Sequence, residues 1–199
     1  MSSKAQIRII QVTDVYTLVN FPSLRTLIKE KRAEVEADGG ICISLLTGDF
    51  LAPYLLSSFD KGVGMMQMLN KTPIDYVTWG NHEHDLDHEH VMRREREYRG
   101  TWINTNMQSH QSFKGSRCQR DREIIEITSR DGSNRRRLGM MAVLSASKSL
   151  YKPGAFGGAT IRDPWEAMAE YRDRLLREDG CDTVLPLCRC FITSAQLVN

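Results

Sequence analysis

Long apolar runs are missing. No stretch of the 199 residues approaches the roughly 18 apolar residues of a membrane-spanning helix. The opening Met1-Ser2-Ser3-Lys4-Ala5-Gln6 lacks the apolar core of a secretion signal. A membrane partner is therefore not expected, and a cytoplasmic location is. Cysteine is sparse and poorly arranged for chemistry: Cys42, Cys118, Cys181, Cys188 and Cys190 form an odd, scattered set of five. Cys188-Arg189-Cys190 is not C-x-x-C, so neither a redox pair nor a zinc knuckle is indicated. Cys42 and Cys181 sit in or beside strand-like runs and read as small core residues. Charge of one sign is also lacking, since a formal net charge of +2 favours no nucleic-acid partner. The glycine-rich stretch from Tyr151 to Thr160 has neither G-x-x-x-x-G-K-[ST] nor G-x-G-x-x-G, which excludes a nucleotide loop of those kinds. No internal repeat or low-complexity linker divides the chain, so residues 1–199 read as a single domain.

What is there is organised around strand ends. Ile7-Arg8-Ile9-Ile10-Gln11-Val12 runs into Thr13-Asp14, and Ile41-Cys42-Ile43-Ser44-Leu45-Leu46 runs into Thr47-Gly48-Asp49. Tyr76-Val77-Thr78-Trp79 runs into Gly80-Asn81-His82-Glu83. Open α/β sheets place ligands outside the carboxyl ends of their strands. Asp14, Asp49 and Asn81-His82, delivered at three such ends, make an oxygen-and-nitrogen set suited to a hard or borderline divalent cation. Helical patterns separate the runs. After Phe21-Pro22-Ser23, residues Leu24, Leu27, Ile28, Ala33 and Val35 share one face, and Met65, Met66, Met68 and Leu69 read as core filling in a second helix. This βαβαβ spacing predicts a parallel, helix-covered sheet.

His82 to His90 holds four histidines among four acidic residues. His84 and His88 fall at i,i+4, a spacing that can hold zinc, yet H-E-x-x-H is absent and the run continues as a polar helix through Glu97. His84, His88 and His90 are therefore expected on a solvated helix face; His82 differs because it sits at a strand end. Further on, Thr101 to Asn104 reads as a strand, and Glu123–Ile127 and Leu138–Leu144 flank Asp131-Gly132-Ser133-Asn134, a hairpin turn signal that makes Arg135-Arg136-Arg137 a solvated hairpin. Asp163-Pro164 caps a helix from Trp165 to about Glu178, and Thr183–Leu187 is the next strand.

Asp14, Gly48-Asp49 and Gly80-Asn81-His82-Glu83 together resemble the calcineurin-like metallophosphoesterases, and Thr47-Gly48-Asp49-Phe50-Leu51-Ala52-Pro53 looks most like the 5′-nucleotidase branch. The family pattern is D-x-H, G-D, G-N-H-[DE], a later single His and a final G-H-x-H; the match covers residues 7–85. The resemblance implies an α/β fold, a four-layer αββα sandwich of two mixed sheets, carrying two adjacent divalent metal ions. By the same resemblance Asp14 would bind the first ion, Asp49 would bridge both and Asn81 would bind the second. His82 would stabilise the phosphoryl transition state or protonate the leaving oxygen. The substrate would be a small phosphorylated molecule such as a nucleotide. Three departures stand out: Tyr16 replaces the His of D-x-H, Cys188-Arg189-Cys190 stands where the later His belongs, and no G-H-x-H occurs. The expectation is thus a domain whose C-terminal part is missing, with an atypical stretch at 191–199 and little activity. The alternative is a non-catalytic remnant that binds metal or phosphate.

Overall fold

The computed structural model describes residues 4–114 and 119–189; Cys118, Cys190 and the 191–199 stretch lie outside the described residues. The elements in order are β1 (Ile7–Val12), α1 (Phe21–Ala37), β2 (Ile41–Thr47), α2 (Leu55–Asp60), α3 (Val63–Lys71), β3 (Tyr76–Thr78), α4 (His88–Glu97) and β4 (Thr101–Ile103). They continue as β5 (Gln119–Arg120), β6 (Glu123–Thr128), β7 (Arg135–Leu144), the single turn α5 (Ala155–Gly158), α6 (Pro164–Arg177) and β8 (Thr183–Arg189). Strands β1 to β5 form one sheet in sequential order, and β6-β7-β8 form a second.

Strands with two apolar faces draw these pieces into layers. In β2, Ile43 and Leu45 join a core with Leu138, Met140 and Ala142 of β7 and Leu187 of β8. On the opposite side, Leu46 joins a core with Phe21 and Ile28 of α1, Met65, Met66 and Leu69 of α3, and Val91 of α4. Beyond the second sheet, Met141 packs with Tyr171 and Leu175 of α6 and with Cys181. The order helix, sheet, sheet, helix is the expected αββα sandwich. Within it the first sheet is parallel throughout, because α1, α3 and α4 carry the chain back between strands, while the second is mixed.

Local sequence accounts for most boundaries. Helix α1 starts at Phe21, three residues before the expected Leu24, because Pro22 falls in a first turn that leaves its missing N–H unneeded. Helix α6 starts where expected: the Asp163 carboxylate accepts from the N–H groups of Trp165 (2.9 Å) and Glu166 (3.0 Å), with Pro164 at the first helical position. Strand β7 takes in the arginine triplet, and Arg135 pairs with Glu126 of β6 at 2.7 Å. For the site, the decisive feature is register. Val12 of β1 lies opposite Leu46 of β2, and Thr47 of β2 lies opposite Thr78 of β3, so three strands end at one level.

Candidate functional site at three strand ends

Immediately past that level, Asp14 and Asp49 each adopt a left-handed backbone, with φ of 54° and 55°. Asp tolerates this region better than most residues, and strained positions of this kind cluster at working sites. The two turns are bonded to each other: the Asp14 N–H donates to the Gly48 carbonyl (3.3 Å) and the Val15 N–H to the Asp49 carbonyl (3.0 Å). Two glycines allow the third strand end to close against them. A Cβ on Gly48 would sit 2.6 Å from the Gly80 Cα, and one on Gly80 would sit 2.1 Å from Asp49 Oδ1. Only residues without side chains fit this approach, which is the physical content of G-D followed by G-N-H.

The 3-10 turn His82–Asp85 then binds back onto Asp49. The His82 N–H donates to Asp49 Oδ1 at 2.8 Å. The Glu83 side chain, fully buried, accepts four backbone N–H groups: Gly80 (2.6 Å) and Asp49 (3.0 Å) on Oε2, Phe50 (2.8 Å) and Leu51 (3.1 Å) on Oε1. Burial pushes its carboxyl up to about 7, helped by the Asp49 charge and opposed by the N–H groups of Phe50, Asp49 and Leu51. His82 Nδ1 lies 2.7 Å from Asp85 Oδ2. Asp14 meets hydroxyls on both oxygens, from Tyr16 Oη to Oδ1 (2.9 Å) and from Thr13 Oγ1 to Oδ2 (2.8 Å).

No family model matches the chain. The 5′-nucleotidase of Vibrio cholerae is 26% identical over 161 residues, 81% of this chain and 28% of its own length. That of Vibrio vulnificus is 27% identical over 142 residues, 71% of this chain and 24% of its own length. Among solved structures, a calcineurin-like phosphoesterase from Bacillus subtilis superimposes with a TM-score of 0.71 at 15% identity, over 93% of this chain and 62% of its own. The NAD nucleotidase of Haemophilus influenzae gives 0.75 at 14% identity, over 90% and 33%. The chain has the calcineurin-like phosphoesterase fold and is similar in sequence to these 5′-nucleotidases. It spans only 28% and 24% of the lengths of those two Vibrio relatives.

The donor set at the strand ends can be weighed against the two metal ions of the resemblance. Among the described residues no group of three or more His, Cys, Asp or Glu side chains is placed to hold a metal ion. Asp14 and Asp49 bring two carboxylates to adjoining turns, and Asn81 opens the 3-10 turn whose His82 N–H reaches Asp49. Carboxylate and amide oxygens are donors of the kind a hard cation takes.

The histidines are not arranged as the periodicity predicts. Leu86 and Asp87 are extended, with ψ of 152° and 137°, so His84 and His88 fall on two different elements rather than one helical face. The His84 side chain is only 5% exposed; its Nδ1 meets the Asn81 carbonyl, and its Nε2 accepts the Lys152 N–H at 3.4 Å. His88 faces the buried His110 ring at 5.7 Å. A solvated face is therefore the wrong reading for His84 and His88, because the break at Leu86-Asp87 turns His84 inward against Tyr151 and Phe156. Sequence reading also assigned no role to Glu83 or Asp85. The i,i+3 step from His82 to Asp85 is the signal that was available for the second.

Proposed function

We propose that the strand-end site hydrolyses phosphomonoesters, nucleotides among them, with one divalent cation held by Asp14, Asp49 and Asn81. The observation that supports this best is that the two left-handed aspartate turns are bonded to each other through the backbone, while the His82 N–H donates to Asp49 Oδ1. A bound cation there would acidify a water and neutralise phosphoryl charge. The chain's own groups divide the remaining tasks. The carboxylate of Asp85 accepts a hydrogen bond from the Nδ1–H of His82, leaving Nε2 to carry the proton for the leaving oxygen. Glu83 holds the N–H groups of Asp49, Phe50 and Leu51 in place, so Asp49 does not have to be reorganised when substrate arrives.

A second reading, cation or phosphate binding without turnover, is favoured by the two hydroxyls already engaging Asp14. The test is hydrolysis of p-nitrophenyl phosphate, its bis-ester and AMP by the 199-residue chain with manganese, magnesium, cobalt or zinc added. Turnover is expected below the usual enzyme range of about 1–1,000 per second, stimulated by cation and abolished in Asp49→Asn. Manganese binding without any turnover dependent on Asp49 would select the second reading, and neither binding nor turnover would sink both.

A further inference from the structure

We infer that His84 is a positioning residue: it ties the glycine-rich loop at Lys152 to the 3-10 turn and keeps the Asp85 carboxylate for His82. The inference rests on the proposed protonation role of His82. The His84 side chain is only 5% exposed and lies against the rings of Tyr151 (5.5 Å) and Phe156 (5.8 Å). Main-chain groups engage both of its ring nitrogens. A carbonyl oxygen can only accept, so the contact with the Asn81 carbonyl places the proton on Nδ1. Nε2 is then bare, as it must be to accept the Lys152 N–H at 3.4 Å. Two main-chain partners of opposite kind therefore select one tautomer.

That tautomer matters for Asp85. Asp85 Oδ2 lies 2.7 Å from His82 Nδ1, and Asp85 Oδ1 lies 3.8 Å from His84 Nε2. A bare Nε2 offers Asp85 no proton, so of these two imidazoles the carboxylate bonds His82. With its proton on Nε2 instead, His84 would lose both main-chain bonds and compete for the same carboxylate. The turn needs such a tie, because one isolated turn fixes several dihedrals for very few bonds of its own. Extended Leu86 and Asp87 separate it from α4. Glu83 and the His82 N–H fasten it to the Asp49 turn, and His84 fastens it to the Lys152 loop. In that loop Phe156 has a φ of 52°, a conformation that persists in a non-glycine residue only when its surroundings demand it. Its ring is buried against Trp79 (5.5 Å) as well as His84. The glycine-rich stretch thus acts as a support for the turn.

The experiment compares the 199-residue chain with His84→Phe, which keeps a ring but no ring nitrogen, and His84→Asn, whose amide can donate from the Nδ1 position. Long-range proton–nitrogen correlation spectra of histidine-labelled protein, at about pH 8.5 where imidazole is neutral, read each tautomer. His82→Asn assigns the His82 signals. In the unaltered chain both His84 and His82 should carry the proton on Nδ1. In His84→Phe, His82 should become a mixture of both tautomers, and His84→Asn should restore the single form. Loss of packing alone would lower the melting temperature of His84→Phe without moving the His82 tautomer. AMP hydrolysis should fall about tenfold or more in His84→Phe, and p-nitrophenyl phosphate hydrolysis by less than about twofold. A proton on Nε2 of His84, an unchanged His82 in folded His84→Phe, or no recovery in His84→Asn overturns the positioning role alone. A mixed His82 in the unaltered chain overturns the Asp85 pair and the positioning role with it. No turnover in any form, with His82 responding as expected, sinks the phosphoesterase reading and leaves the positioning role standing. If His84→Phe does not fold, the tautomer of His84 in the unaltered chain decides.

Discussion

Adding one methyl group at Gly80 tests how the site is built. The Cβ of alanine would lie 2.1 Å from Asp49 Oδ1, 2.4 Å from the Asp49 nitrogen and 2.8 Å from its Cγ. Ordinary contacts begin at about 3.4 Å, so the ends of β2 and β3 must part by about 1 Å. Gly80 is not among the residues with positive φ, so alanine meets no backbone penalty and the whole effect comes from contact. Parting the strand ends stretches two bonds to carboxylates that cross between them, the His82 N–H to Asp49 Oδ1 (2.8 Å) and the Asp49 N–H to Glu83 Oε2 (3.0 Å). Bonds to charged groups contribute about 1.5–3 kcal/mol each, giving a loss of about 3–6 kcal/mol. That is a large share of the roughly 5–15 kcal/mol of a typical domain. Urea unfolding followed by tryptophan fluorescence reads the loss, since Trp79 is buried next to the substitution. The midpoint should fall steeply, and manganese should no longer bind. A variant within about 0.5 kcal/mol of the unaltered chain, with binding intact, would refute the close-approach reasoning.

Three further outcomes follow from the same geometry. Asp85→Asn should reduce AMP hydrolysis far more than p-nitrophenyl phosphate hydrolysis, because nitrophenolate leaves without a proton and the Asp85–His82 pair serves protonation; equal losses on both substrates count against that role. Burial and the neighbouring His88 hold His110 down at about 4, so its contribution to stability is present above pH 6.5 and is lost as pH falls through about 4. Glu83, raised to about 7, contributes in the opposite sense: its stability is present below pH 4.5 and is lost as pH rises through about 7. Each amounts to about 3 kcal/mol at about 1.4 kcal/mol per pH unit, so they nearly cancel between pH 4.5 and 6.5. His110→Phe should uncover the Glu83 slope, with urea midpoints falling from pH 5 to 7; a flat profile in that variant speaks against the Glu83 assignment. Replacing His84, His88 and His90 together with Gln should cost about 1–3 kcal/mol, measured by thermal melting, through the buried contacts of His84 and His88; unchanged melting would restore the solvated-face reading.

Much of the architecture was legible before any coordinate. Apolar runs ending in Asp14, Asp49 and Asn81-His82, with helical periodicity between them, led to a parallel sheet and to a site at its carboxyl edge, because period-2 and period-3.6 patterns are local properties of the chain. The Asp163-Pro164 helix start and the Asp131 to Asn134 hairpin were equally local. Tertiary structure alone decided the rest. The buried role of Glu83 depends on four N–H groups, three of them more than thirty residues away in sequence. The inward turn of His84 depends on two extended residues and on a loop near Lys152, which no periodicity reports. Whether Tyr16 stands apart from Asp14 or against it could not be read from an i,i+2 step, since the left-handed turn at Asp14 sets that geometry. Residue type states what a side chain can bond to; only the packed chain determines which partners come within 3 Å of it.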